Sequence, residues 1–175
     1  MNLYFSSTNG TGGDPEDGDD GDNWFEDDGF VTGHAAAPTS GDDAYFEEGV
    51  CSGFTFACDS ITVASGVTLT TNTETVDTNL GTITTNSGTV SSNSGAITTN
   101  ASGGIVTSNS GTIGTNASGG AVLRNIGTIT TNNGTVRLGT ITGGTGNLQA
   151  AAAMNLSSHT AGTNMTLPSS SPSWW

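Results

Sequence analysis

One aliphatic side chain recurs about every seventh position in residues 79–146, just after a glycine and between threonine or serine residues. In residues 81–87 (GTITTNS), the alternation of a strand points Ile83 to one face and Thr82 and Thr84 to the other. Short repeats of this kind are typical of solenoids, whose units bury one face by stacking on their neighbours. The pattern therefore predicts an all-β repeat with one inward aliphatic residue per strand. The predicted inward set is Ile83, Val90, Ile97, Val106, Ile113, Val122, Ile129, Val136 and Ile141.

Two insertions indicate how many repeats make one coil. The sequence NASGG begins at Asn100 and again at Asn116, which is 16 residues later. With two repeats per coil, both insertions stack at one corner of neighbouring coils, whereas with three they fall at different corners. We therefore predict a short β-solenoid of about nine strand–turn repeats of 7–9 residues, with two strands and 14–16 residues per coil.

Glycine and asparagine bound each predicted strand. The glycines are expected to supply turn conformations that residues with a Cβ resist. Asparagine side chains that stack in successive coils can hydrogen-bond along a ladder. We therefore expect asparagine ladders at the corners of the solenoid. The asparagines are Asn79, Asn86, Asn93, Asn100, Asn109, Asn116, Asn125 and Asn132.

The remaining sequence predicts three further segments around this shaft. Residues 1–38 are acidic and rich in glycine, and we expect an extended arm and linker there. Residues 39–78 are expected to form a small β cap or attachment region, with three or four short strands in residues 44–71. In residues 147–175 we expect a C-terminal cap and an aromatic tail, with about two helical turns in residues 148–156.

Charge is confined to one part of the chain. The net charge is −14, all 16 acidic residues lie in residues 14–77, and Arg124 and Arg137 are the basic side chains. Nucleic-acid binding needs clustered lysine and arginine, so we do not expect it. The acidic run in residues 14–28 lacks the spacing of a calcium loop, so we expect an arm that is solvated or docks on a partner, and no cofactor. No membrane span or standard secretion signal is expected.

Few residues suggest chemistry. Cys51 and Cys58 are close enough in sequence for a small disulfide loop, or they are two free thiols, and spacing alone leaves both open. His34 and His159 stand alone, so we expect surface or interface positions. The acidic pairs Asp42-Asp43 and Glu47-Glu48 would need a shared groove to hydrolyse a glycoside, and the shaft itself contains no acid. The sequence therefore predicts no enzyme.

A core of one large apolar side chain per strand is thin, so we expect the solenoid to associate with other chains. The prediction is a homotrimer with shafts side by side or intertwined, or docking on a larger assembly. Aromatic residues near the two ends are the expected contacts, because exposed aromatic clusters usually have a docking surface. These residues are Tyr4, Phe5, Trp24, Phe25, Trp174 and Trp175.

Motifs before the shaft carry a family resemblance. Trp24, Pro38-Thr39, residues 42–46 (DDAYF) and residues 60–69 (SITVASGVTL) resemble the opening module of large bacterial surface and phage-fibre β-solenoids. The N-x-G-T-I repeats resemble the shafts of the same proteins, so the resemblance spans about residues 24–146. It implies a fibre, spike or adhesin role and no activity.

From this resemblance we expect a non-enzymatic structural protein of a phage virion, such as a head fibre, a capsid decoration (cement) protein, or a tail fibre or spike. Its location would be the virion, an extracellular particle assembled in the host cytoplasm, and its partners would be itself and a capsid or tail. A small bacterial adhesin at the cell surface is one alternative.

Thr-x-Thr pairs supply another alternative, because they resemble the faces of ice-binding β-solenoids. Three pairs fit that pattern: Thr82/Thr84, Thr128/Thr130 and Thr140/Thr142. Four equivalent pairs do not: Thr89/Ser91, Ala96/Thr98, Thr112/Gly114 and Thr135/Arg137. Ice binding needs a regular array, whereas threonine is also common in strands because of its β-propensity.

Overall fold

The fold was obtained as a computed structural model, which describes residues 1–10, 14–34 and 36–137 and the backbone of residues 147–149 and 165–166. A short 3₁₀ helix spans Gly21–Asn23. The strands are β1 (Asn2–Ser6), β2 (Trp24–Phe25), β3 (Gly33–His34), β4 (Asp43–Glu48), β5 (Val50–Cys51), β6 (Ser60–Val63), β7 (Thr68–Asn72), β8 (Thr75–Asn79), β9 (Thr82–Asn86), β10 (Thr89–Asn93), β11 (Ala96–Asn100), β12 (Ile105–Asn109), β13 (Thr112–Asn116), β14 (Ala121–Asn125), β15 (Thr128–Asn132), β16 (Thr135–Val136), β17 (Asn147–Gln149) and β18 (Met165–Thr166).

From β4 to β16, successive strands alternate between two sheets and pair in parallel within each, as expected for a solenoid with two strands per coil. The larger sheet has the order β18-β17-β16-β14-β12-β10-β8-β6-β4-β1-β2-β3, and the smaller has the order β15-β13-β11-β9-β7-β5. Asn79 and Asn93 are stacked 14 residues apart, and Asn93 and Asn109 are stacked 16 apart. The predicted coil of two strands and 14–16 residues is therefore confirmed.

Both NASGG insertions lie at the same corner. Gly103 and Gly119 sit at equivalent positions, and the N–H of Gly103 donates to the carbonyl oxygen of Gly119 at 3.1 Å. Both have positive φ, at 86° and 84°, which is the turn conformation that glycine adopts most readily. The two-residue excess in these coils is thus absorbed in one corner, and the strands on either side keep their register.

The solenoid starts earlier than the shaft boundary at residue 79. β4 pairs in parallel with β6, β6 pairs with β8, and β5 pairs with β7, so the strands expected as a separate cap are coils of the same stack. Their inward positions include Phe46 and Leu69, and a loop spans residues 52–59. That loop and the aromatic residue obscure the seven-residue period in the sequence.

The N-terminal segment is not the extended arm that its composition indicates. β1 pairs in parallel with β4 and antiparallel with β2, and β2 pairs antiparallel with β3. Leu3, Phe5 and Trp24 are fully buried. These side chains close the first coil, because an antiparallel hairpin ends a stack of parallel strands and covers its edge.

The core is a column of aliphatic side chains between the two sheets. The eight described members of the predicted inward set are at most 1% exposed, whereas Ile141 lies outside the described residues. The smaller sheet contributes isoleucines and the larger sheet valines, so each coil fills the gap with one longer and one shorter side chain. The isoleucines are Ile83, Ile97, Ile113 and Ile129, and the valines are Val90, Val106, Val122 and Val136.

Asparagine side chains form two buried ladders, one at the end of each sheet. In both, Nδ2 of one asparagine donates to Oδ1 of the asparagine in the next coil at 2.6–2.8 Å. The predicted ladders are therefore confirmed, and Asn72 joins them. The first ladder is Asn72, Asn86, Asn100, Asn116 and Asn132, and the second is Asn79, Asn93, Asn109 and Asn125.

The glycines that directly precede the repeat strands allow neighbouring coils to approach closely, and they do not adopt a left-handed turn conformation. Of the described glycines, Gly49, Gly66, Gly103 and Gly119 have positive φ, and the glycine before each regular strand does not. A Cβ at Gly111 would overlap the carbonyl oxygen of the equivalent glycine one coil earlier. The expected turn role is therefore corrected: these glycines let the corners stack.

We expect Gly111→Ala to lower the free energy of unfolding by about 2 kcal/mol, because the added methyl group has to displace a backbone carbonyl. Gly41→Ala is the matched control, since nothing lies within 4 Å of a Cβ at that position. Urea unfolding followed by circular dichroism measures both. Equal stability of the two variants would contradict the close-approach role.

The structure also corrects the expected C-terminal helix in the described residues 147–149, which form a strand. Asn147–Gln149 is strand β17, which pairs in parallel with β16 and with β18. Its register places Asn147 opposite Thr135 and Leu148 opposite Val136, so the larger sheet continues past the predicted end of the shaft. The rest of the predicted helix lies outside the described residues.

Candidate functional site

Three of the aromatic residues expected to bind partners lie in the interior. Phe5 and Trp24 are fully buried and Phe25 is 7% exposed, so these side chains stabilise the cap. Tyr4 is half-buried and stacks on Tyr45 with ring centroids 5.3 Å apart. Trp174 and Trp175 lie outside the described residues. The expectation of partner contacts is therefore corrected for Phe5, Trp24 and Phe25, because their side chains are buried within the chain.

Trp24 is the centre of this cap. Its indole N–H donates to the carbonyl oxygen of Gly18 at 2.8 Å. Its ring makes edge contacts with Phe5, Phe46 and Phe56, at centroid distances of 5.2–5.4 Å. An indole so placed satisfies its one donor and fills the space below the first coil.

The acidic run forms turns. The carboxylates of Asp14, Asp17 and Asp20 each accept the N–H two residues further on, as in Asx turns. The carboxylate of Asp27 accepts the N–H groups of Thr32 and Val31, which lower its pKa. Within the described ranges, no group of three His, Cys, Asp or Glu side chains could hold a metal ion.

The other acids tie the cap to the first coils. The hydroxyl of Thr39 donates to Asp42 at 2.7 Å, and with the Thr39 N–H and the N-terminal ammonium of Met1 it lowers the pKa of Asp42 to about 2. Ser60 donates to the carboxylate of Asp43 at 2.6 Å. The carboxylate of Glu48 accepts from the Ser6 hydroxyl at 2.9 Å, and Glu47 is exposed. The two members of each acidic pair therefore have different surroundings.

Both cysteines are free thiols, the second of the two alternatives that the spacing leaves open. The thiol of Cys51 donates to the carbonyl oxygen of Gly53, and that of Cys58 to the carbonyl oxygen of Ser60, each at 3.3 Å. Burial raises the pKa of Cys51 to about 12 and that of Cys58 to about 11. At neutral pH both thiols are therefore protonated and poorly nucleophilic.

A cavity of about 210 Å³ lies beside Cys58, lined also by Asp59, Glu74 and Asp77. The carboxylate of Asp77 accepts the N–H of Ile61 at 2.9 Å, so it helps to hold strand β6. His34 lies 3.1 Å from the carboxylate of Glu26 at the surface, and His159 is outside the described residues.

The outer side of the smaller sheet has the most regular chemistry of the described surface. In each of β7, β9, β11, β13 and β15 the second and fifth residues are buried, and the first, third and fourth are at the surface. Thirteen of these fifteen surface positions are threonine, the others are Ala96 and Gly114, and none is charged. We call these fifteen positions the threonine face. Its threonines are Thr68, Thr70, Thr71, Thr82, Thr84, Thr85, Thr98, Thr99, Thr112, Thr115, Thr128, Thr130 and Thr131.

The larger sheet differs on its outer side. In β8, β10, β12 and β14, four of the twelve equivalent positions are threonine, and the others include Asp77, Ile105, Leu123 and Arg124. Both sheets have the same strand length and the same exposure pattern, so β-propensity would enrich threonine equally in each. Threonine is therefore concentrated on one sheet for a reason beyond strand formation.

Sheet assignment also regroups the Thr-x-Thr pairs. Two of the four pairs that do not fit, Thr89/Ser91 and Thr135/Arg137, lie on the larger sheet and its end. Thr68/Thr70, which the sequence places in the cap, joins the threonine face, and Thr140/Thr142 lies outside the described residues. The array therefore has three complete pairs, with gaps at Ala96 and Gly114.

No protein family, curated protein or solved structure matches this chain. Among the described residues, no helix is long and apolar enough to cross a membrane.

Proposed function

We propose that the chain is a non-enzymatic structural protein of a phage virion, a short fibre, spike or decoration protein. The observation that supports this most is the solenoid itself, a continuous stack held by two buried asparagine ladders and closed by its own aromatic cap. Such a stack is a stiff spacer, because each coil contacts only its neighbours and every strand is paired along the axis.

The use of the polar side chains points the same way. The acids near the N-terminus accept hydrogen bonds in turns and in contacts with neighbouring coils, and the two thiols are protonated. These residues help to stabilise the first coils, which favours a structural role over a hydrolytic one. A chain whose polar side chains mainly stabilise its own fold suits a structural role in an assembly.

We further propose that the shafts associate as a homotrimer. Leu80 and Ile126 are 46% and 63% exposed, and both follow an asparagine of the second ladder, so they lie at one corner of the stack. Ser94 and Ser110 occupy the same corner in the coils between. Exposed aliphatic side chains at one corner favour a contact between shafts.

Immunogold labelling tests the virion role. An antibody raised against the recombinant chain is applied to phage particles and to cell envelopes purified from the source culture. We expect gold at a fixed place on the particles, and antibody absorbed with the pure chain serves as control. Gold on the envelopes with none on the particles would instead favour the adhesin and overturn the proposal.

Sedimentation equilibrium tests the trimer. At micromolar concentration we expect about three times the chain mass of 17.4 kDa. The double variant Leu80→Ser and Ile126→Ser is expected to sediment as a monomer, since it places at these two positions the serine that the intervening coils have there. Val31→Ser, which changes an 84% exposed side chain in the cap, is the control and should stay trimeric. A monomeric wild-type chain would overturn the trimer.

A further inference from the structure

The threonine face is a two-dimensional array of threonine side chains with two gaps, at Ala96 and Gly114. From β7 to β15 the strands pair in register, with Thr71, Thr85, Thr99, Thr115 and Thr131 forming one unbroken column. Neighbouring strands in a sheet are about 4.8 Å apart, and alternate residues along a strand are about 6.6 Å apart. Side-chain ladders are among the features that keep a sheet flat, and an asparagine ladder runs at the end of this one. The threonine positions therefore repeat at about these intervals along and across the strands, except at Ala96 and Gly114.

Each point of this lattice has the chemistry to hold ordered water. A threonine hydroxyl offers one donor and two acceptors, and its γ-methyl group lies beside it. Threonine is β-branched, so its χ1 angle is restricted and little side-chain freedom is lost on binding. A row of such hydroxyls can hold bridging waters with the period of the coils.

The absence of charge on the threonine face indicates the kind of partner that it fits. The chain has a net charge of −14, yet all its acids lie in residues 14–77 and its arginines lie outside the threonine face. An uncharged face suits an uncharged partner, since no ion on either side has to lose its hydration. The surface of an ice crystal is a partner of this kind, because it carries a periodic array of hydrogen-bond donors and acceptors and no charge.

We propose that the threonine face binds ice. Water molecules held by the hydroxyl columns become part of the crystal surface, and the chain adsorbs through the smaller sheet. The proposal is independent of the virion role, because it concerns one face of the shaft and not its ends.

Partition into ice tests this proposal. The labelled full chain is added to a slowly growing ice hemisphere, and the ice is compared with the remaining liquid. Thr98→Lys places a charge at the centre of the threonine face. Thr107→Lys is the matched control, because Thr107 is the equally exposed third residue of the next strand, on the larger sheet. We expect wild type and Thr107→Lys to be enriched in ice at least about tenfold over Thr98→Lys, a difference of about 1.4 kcal/mol.

A second variant tests the lattice from the opposite direction. Ala96 interrupts the first column between Thr82 and Thr112, so Ala96→Thr should raise the ice-bound fraction and the gap between melting and freezing temperatures. Exclusion of the wild-type chain from ice would overturn the proposal. An equal loss of ice enrichment in Thr107→Lys and Thr98→Lys would also overturn it. So would a wild-type oligomer that is excluded from ice and becomes a monomer in Thr98→Lys, because the threonine face would then bind a second copy of the chain.

Discussion

Trp24→Ala is expected to lower the free energy of unfolding by about 4 kcal/mol, the cost typical of removing a fully buried large aromatic side chain. The substitution removes three edge contacts, with Phe5, Phe46 and Phe56, and leaves the carbonyl oxygen of Gly18 without its indole donor. Urea unfolding followed by circular dichroism measures the loss.

The variant should also aggregate more readily than wild type. β2 covers the edge of β1, the first parallel strand of the larger sheet, and Trp24 packs β2 against Phe46 of the first coils. Loosening this cap exposes an edge that can pair with another chain. Light scattering during storage at room temperature measures this second effect.

Trp24→Phe is the control, because it keeps an aromatic ring and removes mainly the hydrogen bond to Gly18. We expect it to cost about 1–2 kcal/mol and to leave aggregation unchanged. If Trp24→Ala unfolded within about 1 kcal/mol of wild type, the cap would not be the structural closure inferred from its burial.

The sequence predicts the shaft well because its information is local and periodic. Ile83 and Val90 recur seven residues apart, each after a glycine and between threonine or serine residues, and this combination favours stacked strands. The 16-residue distance between Asn100 and Asn116 distinguishes two strands per coil from three. The asparagine ladders follow from the same spacing, since equal positions in equal coils lie directly above one another.

The cap could not be predicted in this way. β1 pairs with β4 across about forty residues, and Phe5 and Trp24 come from segments separated by an acidic loop with no period. The abundance of aspartate indicates an unfolded arm, whereas the structure uses those carboxylates to accept N–H groups in tight turns. Composition reports only the average polarity of the segment. It does not show that individual aromatic side chains such as Phe5 and Trp24 are buried and hold the segment against the first coils.

The threonine face was missed for a related reason. Consecutive repeats lie on opposite sheets, so Thr82/Thr84 and Thr89/Ser91 follow each other in sequence but face opposite directions. Counting pairs along the chain therefore mixes the regular surface with the irregular one. The assignment of strands to sheets separates them, and only then do the gaps at Ala96 and Gly114 stand out as exceptions.

The second large effect is expected in the asparagine ladders. Asn93→Ala should lower the free energy of unfolding by about 3 kcal/mol, because it breaks two ladder hydrogen bonds, from Asn79 and to Asn109, each 2.6 Å long. It leaves the buried Oδ1 of Asn109 without that donor. The unfolding midpoint in urea, followed by circular dichroism, measures the change.

Asn79→Ala is the matched control, since Asn79 is equally buried in the same ladder one coil earlier. Among the described residues, no donor reaches Oδ1 of Asn79, because the equivalent position in the coil before it is Val63. The substitution breaks one ladder bond and leaves Oδ1 of Asn93 without that donor, but it also removes the unsatisfied acceptor of Asn79 itself. The last two effects offset each other, so we expect a loss of about 1 kcal/mol. Both variants leave a similar space, so their difference of about 2 kcal/mol reports the ladder. Equal losses would mean that the asparagines act by filling the corner and not by hydrogen bonding from coil to coil.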